Sequence, residues 1–274
     1  MLLRLALGLV IGYLALLLLA WLAQERIAFP APRAPLPDPQ RVGFPNGERI
    51  VLVMKDGTPL VGWFIRGDSA SPPHTSPGLL WFYGNGETIA AIWPVLRDFR
   101  PPGAALLVVD YPGYGGSGGR ATEAGLYEAG ELAYATLAAR PEVDPHRIFV
   151  YGRSLGSAVA THTASRHAVA GLILESPFTN AREMSRQHYG LFPRSILRLG
   201  LDNLRRVRDV HAPLLLFHGS ADLLVPPAMG RAVAAAAQGP AEVVLIEGAG
   251  HNETYAVGGK AYREKLAAFV TGVP

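Results

Sequence analysis

The distribution of apolar residues separates a short N-terminal segment from the rest of the chain. Residues 5–24 contain no charged side chain, and at helical rise they span about 30 Å, the thickness of a hydrocarbon core. Arg4 precedes this segment, Glu25-Arg26 ends it, and Trp21 lies at the position of an interfacial aromatic residue. The pattern predicts a single-pass transmembrane anchor over residues 1–25.

A cleaved signal peptide is the alternative interpretation of this segment. The apolar run is longer than a usual signal-peptide core and lacks a small-x-small cleavage site, because Trp21 lies two residues before Ala23. A retained anchor is therefore favoured. Its topology stays open, since Arg4 favours a cytoplasmic amino terminus and the arginines after the anchor favour the opposite; these are Arg26, Arg33 and Arg41. Of the two, we favour an extracytoplasmic position for the rest of the chain.

Residues 26–48 are rich in proline, which occurs at positions 30, 32, 35, 37, 39 and 45. Proline-rich segments adopt stiff, extended conformations of the polyproline type. The composition predicts a spacer that holds a domain formed by residues 49–274 away from the bilayer surface.

Short apolar runs alternate with helical patterns through residues 49–274. The first two runs, residues 50–54 and 60–65, flank an Asp56-Gly57 turn and predict a hairpin. Buried strands alternating with helices indicate an α/β fold with a mostly parallel central sheet and helices on both faces. The later strands are predicted at residues 79–83, 104–109, 148–151, 169–174, 214–217 and 243–246, and the helices at residues 89–99, 122–139, 155–166, 228–237 and 255–270.

The segment of residues 177–212 interrupts this alternation. Ile196, Leu197, Leu201 and Leu204 recur at helical spacing, which predicts a small helical lid. A basic amphipathic helix beside an anchor could contact anionic lipid or an acidic substrate, but a solvated helix face is the interpretation we favour. The arginines of this segment lie at positions 182, 186, 194, 198, 205, 206 and 208.

The composition excludes several classes of function. The chain has 274 residues, 49% of them hydrophobic, and no cysteine, which excludes disulfides, iron–sulfur clusters and cysteine nucleophiles. Lys and Arg total 25 against 22 Asp and Glu, and no basic run is interleaved with aromatic residues, so nucleic-acid binding is not expected. No HExxH, EF-hand or Walker pattern occurs, and no metal is expected.

One glycine-rich segment, residues 113–118, matches the dinucleotide-binding pattern G-x-G-x-x-G. That fingerprint follows the first strand of its domain and opens a helix at once. Here it follows a later predicted strand, and several residues separate it from the next predicted helix. A glycine turn is the better interpretation, and no nicotinamide cofactor is expected.

The sharpest chemical signal is Gly152-Arg153-Ser154-Leu155-Gly156, which lies between a predicted strand and a predicted helix. In such a G-x-S-x-G turn, glycines allow a bend that lifts the serine hydroxyl above the sheet edge, at a helix N-terminus. A serine hydroxyl is a poor nucleophile at neutral pH unless a base activates it. Ser154 is therefore the predicted nucleophile.

His251 is the predicted base, because it lies in a glycine-rich segment directly after the last predicted strand. The base needs a carboxylate to hold its tautomer, and Asp222 follows the strand at residues 214–217 in the chain order Ser, Asp, His. Glu175, at another strand end, is the alternative acid, and Asp110 is assigned to bracing the glycine turn. The carboxyl ends of parallel strands meet at one sheet edge, so we expect the three catalytic side chains to converge there.

The oxyanion of a tetrahedral intermediate needs backbone donors. Leu155, one residue past the serine, supplies one N–H group, and the loop after the strand at residues 79–83 is expected to supply the other. We assign this second donor to Asn85, with Gly84 and Gly86 as alternatives.

Together these segments resemble the α/β-hydrolase superfamily, and more narrowly its BEM46-like, membrane-anchored branch, to which mammalian α/β-hydrolase domain-containing proteins 13 and 17 are related. The resemblance implies cofactor-free hydrolysis of ester, thioester or amide bonds through an acyl-enzyme. The family usually has His-Gly where this chain has Tyr83-Gly84. The resemblance covers nearly the whole chain and rests on residues 29–33, 83–87, 110–117, 151–156, 175–179, 218–222 and 248–252.

Two other functions remain open at this point. An acyltransferase or a peptidase would use the same triad, and a non-catalytic membrane scaffold would use the same fold without it. The expected substrate is a small-molecule or lipid-like acyl compound, and the sequence specifies neither the acyl group nor the oligomeric state.

Overall fold

The computed structural model describes residues 1–67, 75–188, 193 and 196–272 of the 274-residue chain. Arg194, one of the arginines of the predicted lid, lies outside these residues. Within the described part, the strands are β1 (Gly47–Val53), β2 (Pro59–Ile65), β3 (Ser76–Phe82), β4 (Ala105–Val109), β5 (Val143–Arg153), β6 (Gly171–Glu175), β7 (Leu214–Gly219) and β8 (Ala241–Ile246).

These strands form one mixed sheet in the order β1-β2-β4-β3-β5-β6-β7-β8. β2 runs antiparallel to β1 and β4, and every other neighbouring pair is parallel. In the hairpin, Val53 pairs with Pro59 across the turn that the Asp-Gly signal predicted. The hairpin and the mostly parallel sheet are therefore confirmed.

Helices cover both faces of the sheet, and this explains why its central strands are continuous apolar runs. All residues of β3, β4 and β6 are buried. Helices α2 and α8 pack against each other, and so do α3 and α4. The helices are α1 (Leu2–Ala28), α2 (Ile89–Phe99), α3 (Glu123–Ala138), α4 (Leu155–Ala164), α5 (Ala181–His188), α6 (Asn203–Arg206), α7 (Pro227–Ala236) and α8 (Thr254–Thr271), with 3-10 turns at Pro39–Val42 and Val207–Asp209.

The N-terminal helix α1 is long and apolar enough to cross a membrane, with a mean hydropathy of 2.5 over its best window and none of that window buried. By length and composition it fits a membrane anchor or a signal sequence. It ends at Ala28, three residues beyond the predicted boundary at residue 25. The division into anchor, spacer (26–48) and hydrolase domain (49–274) stays a prediction.

The proline-rich segment after α1 lies against the domain and does not stand free of it as an extended spacer. Phe29, Leu36 and Phe44 are buried in the core of the domain. Proline carbonyls also accept hydrogen bonds from the domain, since Gly115 N–H donates to the Pro32 carbonyl at 2.8 Å. Apolar side chains between the prolines thus hold the segment against the domain.

The lid segment also differs from its prediction. Helix α5 ends at His188, and residues 197–202 are not helical, so the apolar residues assigned to one helix do not share one. The Glu123 carboxylate accepts the N–H groups of Gly200 (2.7 Å) and Leu201 (2.8 Å), and Leu201 has a φ of 40°. Since helical backbone has negative φ, this tertiary contact overrides the helical spacing.

Candidate active site

Ser154 lies at a sharp turn between strand β5 and helix α4. Its φ of 50° and ψ of −116° fall in a strained region for a residue with a side chain. Both glycines of the motif are required sterically, because a Cβ at Gly152 would lie 2.3 Å from the Gly156 carbonyl oxygen, and one at Gly156 would lie 2.2 Å from the Phe82 carbonyl oxygen. The sequence therefore folds here into a tight elbow that presents the serine.

The three side chains assigned to the catalytic triad meet at this elbow. His251 Nε2 lies 2.9 Å from Ser154 Oγ, and His251 Nδ1 lies 2.8 Å from Asp222 Oδ2. Because a carboxylate only accepts hydrogen bonds, Nδ1 carries the proton of the neutral ring. The Nε2 atom is then an acceptor directed at the serine hydroxyl, which is the arrangement that a general base needs.

The Asp222 carboxylate is buried and held from several sides. Its Oδ1 atom accepts the backbone N–H groups of Leu224 (3.0 Å) and Val225 (2.8 Å), and His218 Nε2 lies 3.4 Å from Oδ2. Burial alone would raise the pKa of Asp222, but the hydrogen bonds from His218, His251 and the Val225 N–H group together bring it well below its usual range. Asp222 therefore stays ionised beside His251.

The alternative acids have other partners. The Glu175 carboxylate accepts hydrogen bonds from Thr254 Oγ1, Tyr151 and Tyr262 hydroxyls and Arg153 Nε, in a buried polar cluster. No contact joins Glu175 to the imidazole of His251 in the described part of the chain. The structure thus brings Asp222, and not Glu175, to the imidazole.

Asp110 braces the glycine turn, as the sequence indicated. Its carboxylate accepts N–H groups from Gly116 (3.2 Å) and from Ile89 (2.9 Å), the first residue of α2, and the Tyr83 hydroxyl (3.0 Å). A Cβ at Gly115 would lie 1.9 Å from Asp110 Oδ2, so glycine is required there. Burial raises the pKa of Asp110, against the opposing effect of these hydrogen bonds.

The hydrogen bonds around the candidate oxyanion donors show which backbone N–H groups are already occupied. Leu155 is the first residue of α4, where backbone N–H groups lack helical acceptors. The Gly84 N–H donates to Glu87 Oε2 at 2.7 Å and is therefore occupied. The Asn85 side chain is fixed at both ends, since Nδ2 donates to the Ala28 carbonyl and Oδ1 accepts the Tyr114 hydroxyl, each at 2.7 Å. Leu155 and Asn85 remain the predicted donors.

Sequence reasoning missed the residues that surround the triad. Arg153 is buried between Glu87 and Glu175, and its Nη2 atom donates to Asn252 Oδ1 at 2.7 Å. The variable position of a G-x-S-x-G motif carries no signal for such a role. A buried arginine becomes informative only once its acceptors are seen together. The described residues contain no group of three or more His, Cys, Asp or Glu side chains that could hold a metal ion.

Comparison with known families places the chain among hydrolases. Residues 78–200 match the family described as serine aminopeptidase, S33. An uncharacterised protein of Mycobacterium tuberculosis is 34% identical over 258 residues, covering 92% of this chain and 88% of that relative. The α/β-hydrolase domain-containing protein 17B of Homo sapiens is 33% identical over 165 residues, covering 59% of this chain and 54% of its own length.

Solved structures share the fold. An esterase of Pyrococcus furiosus superposes with a TM-score of 0.71 at 20% identity, covering 88% of this chain and 98% of that one. An acetyl xylan esterase from Paenibacillus sp. R4 gives a TM-score of 0.66 at 21% identity, covering 82% and 83%. With the strand order and the serine elbow, these similarities show that the chain belongs to the α/β-hydrolase superfamily, as a hydrolase of the serine type.

Proposed function

We propose that this chain is a membrane-anchored serine hydrolase that cleaves ester, thioester or amide bonds, with Ser154, His251 and Asp222 as its catalytic triad. The observation that carries the proposal is the continuous chain of hydrogen bonds from the strained serine through the imidazole to an ionised, buried carboxylate. Strained residues persist where the surrounding structure holds them for function.

The geometry supports a two-step acyl transfer to water. His251 Nε2 takes the proton from Ser154 Oγ as that oxygen attacks the substrate carbonyl, and the backbone N–H groups of Leu155 and Asn85 stabilise the oxyanion. The protonated imidazole then gives its proton to the leaving group as the bond between that group and the carbonyl carbon breaks. The product of this step is an acyl-serine. Water activated by the same Nε2 atom hydrolyses this ester, and Asp222 stabilises the imidazolium in both steps.

Two features favour acyl esters over peptides with a free amino terminus. An aminopeptidase needs a carboxylate for the substrate ammonium, but Glu87 and Glu175, which lie close to the triad, both pair with Arg153. Directly after Asp222, Leu223 is 88% exposed and offers apolar surface beside the site. An acyl chain fits such a surface better than a charged terminus does.

The test uses the full chain in detergent micelles with p-nitrophenyl esters of short, medium and long acyl chains, an acyl thioester and an aminoacyl p-nitroanilide. We expect ester or thioester turnover that Ser154→Ala abolishes and the control Ser165→Ala, at the end of α4, retains. Turnover that survives in Ser154→Ala would remove the proposal. Anilide turnover without ester turnover would select the peptidase, and acyl transfer to an added alcohol in preference to water would select the acyltransferase.

Anchoring is tested separately with the same chain in membranes. We expect α1 to stay on the mature protein and to resist extraction at alkaline pH, because its apolar residues need a hydrocarbon environment. A mature protein whose intact mass lacks the first residues, recovered in the soluble fraction, would assign α1 as a signal peptide.

A further inference from the structure

Arg153 precedes the nucleophile, and its buried side chain reaches the segments that carry Glu87, Glu175 and His251. With 4% of the residue exposed, the guanidinium group has protein partners in place of water. Nε donates to Glu175 Oε1 at the end of β6 at 3.1 Å, and Nη1 donates to Glu87 Oε1. Nη2 donates to the His251 backbone carbonyl at 3.0 Å and to Asn252 Oδ1 at 2.7 Å.

The contact with Glu87 extends to the loop of the second oxyanion donor. While Oε1 of Glu87 accepts from Arg153, its Oε2 atom accepts the Gly84 N–H at 2.7 Å. Gly84 immediately precedes Asn85, so the orientation of this loop depends on the Glu87 carboxylate. Through Glu87 on one side and the His251 carbonyl on the other, Arg153 joins two loops that the sequence separates widely.

The chemistry of arginine suits this position better than that of lysine. The planar guanidinium presents its N–H groups in fixed directions, and here they serve acceptors on different segments. Burial alone would lower the pKa of Arg153, but the adjacent Glu175 and Glu87 carboxylates raise it above its ordinary value. The group therefore stays charged, and two carboxylates compensate that charge.

We propose that Arg153 is a positioning residue that sets the oxyanion loop and the His251 loop at the correct distance from Ser154. Its hydrogen bonds are with Glu87, Glu175, the His251 carbonyl and Asn252, and its guanidinium also lies 5.7 Å from the centre of the Tyr255 ring. None of these partners is a reacting atom, so Arg153 acts through the loops that it holds. The proposal rests on the proposed function, because it concerns the geometry of that same reaction. A displacement of about 1 Å in such a site lowers the rate about 100-fold.

The test compares Arg153→Met, Arg153→Lys, Glu87→Gln and the double variant Arg153→Met/Glu87→Gln in the full chain. Arg147→Met is the matched control, because Arg147 lies on the same strand β5 and is only partly buried. For Arg153→Met we expect kcat to fall about 100-fold with little change in KM, since positioning affects the transition state more than ground-state binding. Arg153→Lys should recover part of the loss.

The double variant separates positioning from a general loss of stability. If Arg153 acts through Glu87, the kcat of the double variant equals that of Arg153→Met, because the second change removes an interaction already lost. The proposal would be overturned if the loss of kcat in the double variant were the product of the losses in the two single variants. It would also be overturned if Arg153→Met had wild-type kcat and a cooperative melting transition. Should Arg153→Met fail to fold, wild-type kcat in both Arg153→Lys and Glu87→Gln would overturn it. Absence of turnover in the wild-type chain would instead remove the proposed function.

Discussion

The side-chain amide of Asn85 donates a 2.7 Å hydrogen bond to the backbone carbonyl of Ala28, the last residue of helix α1. The last carbonyl groups of a helix have no N–H donor within that helix. The Asn85 side chain supplies a donor to one of them. The other end of the amide accepts the Tyr114 hydroxyl, and the side chain therefore has one orientation. The C-terminal end of α1 and the predicted oxyanion loop are thus joined by a hydrogen bond.

This connection predicts that Asn85→Ala impairs catalysis although it keeps the backbone N–H group. Asn85 has negative φ, so alanine adopts the same backbone. Loss of both side-chain hydrogen bonds frees the loop from α1, and we expect kcat to fall about 10-fold, the effect of roughly 1–1.5 kcal/mol. Steady-state kinetics of the full chain in detergent measure this, with the exposed Gln238→Ala as control. Wild-type kcat in Asn85→Ala would show that α1 does not brace the loop.

Asp222→Asn should lower kcat about 10⁴-fold with little loss of structure. The Oδ1 atom accepts the Leu224 and Val225 N–H groups, so the amide oxygen of asparagine takes that place and its NH₂ group faces His251 Nδ1. Nδ1 must then accept, and Nε2 carries the proton and no longer accepts one from the serine.

Glu175→Gln is the matched comparison for Asp222→Asn. Glu175 is fully buried and accepts hydrogen bonds from Arg153 and Tyr262, among others, but does not contact the imidazole. We expect it to lower the melting temperature more than Asp222→Asn and kcat much less. Thermal melting and kinetics of both variants decide, and a larger kcat loss in Glu175→Gln would reassign the triad acid.

The lowered pKa of His162 predicts that the folded chain loses stability in mild acid. Burial and the nearby Arg206 lower the pKa of His162 from 6.5 to about 4, against the opposing effect of Glu131. Between these pH values the unfolded chain binds more protons at His162 than the folded chain does. The free energy of unfolding therefore has its full value, as far as His162 affects it, above about pH 6.5 and decreases as the pH falls towards 4. We expect His162→Gln to show a smaller drop in melting temperature between pH 7 and about pH 4.5.

The exposed His146→Gln serves as the control for this measurement. It should keep the wild-type drop, because its imidazole lies at the surface. An equal drop in wild type and His162→Gln would contradict the assignment of acid sensitivity to His162.

Continuous apolar runs identified the central strands because both faces of those strands are covered. The segments 79–83 and 104–109 are short, continuously apolar runs, which is the pattern of strands buried on both faces. The serine, aspartate and histidine were found because each follows such a run, and the topology brings strand ends together. Local sequence patterns were therefore sufficient to predict the sheet and the three residues that meet at its edge.

Long-range contacts decided the features that the sequence did not predict. Glu123 holds Gly200 and Leu201 in a non-helical conformation, and neither helical spacing nor composition reports that contact. The proline-rich segment packs on the domain for the same reason, through Phe29 and Leu36. Arg153 was missed because its role depends on acceptors from three separate segments.

Covalent labelling tests the central claim most directly. A fluorophosphonate reacts with a serine whose hydroxyl a base activates, and peptide mass mapping locates the modified residue. We predict one adduct, on Ser154, that forms in the wild-type chain and in Ser165→Ala, is absent in Ser154→Ala, and forms far more slowly in His251→Ala. Labelling of a different serine, or an undiminished rate in His251→Ala, would contradict the account.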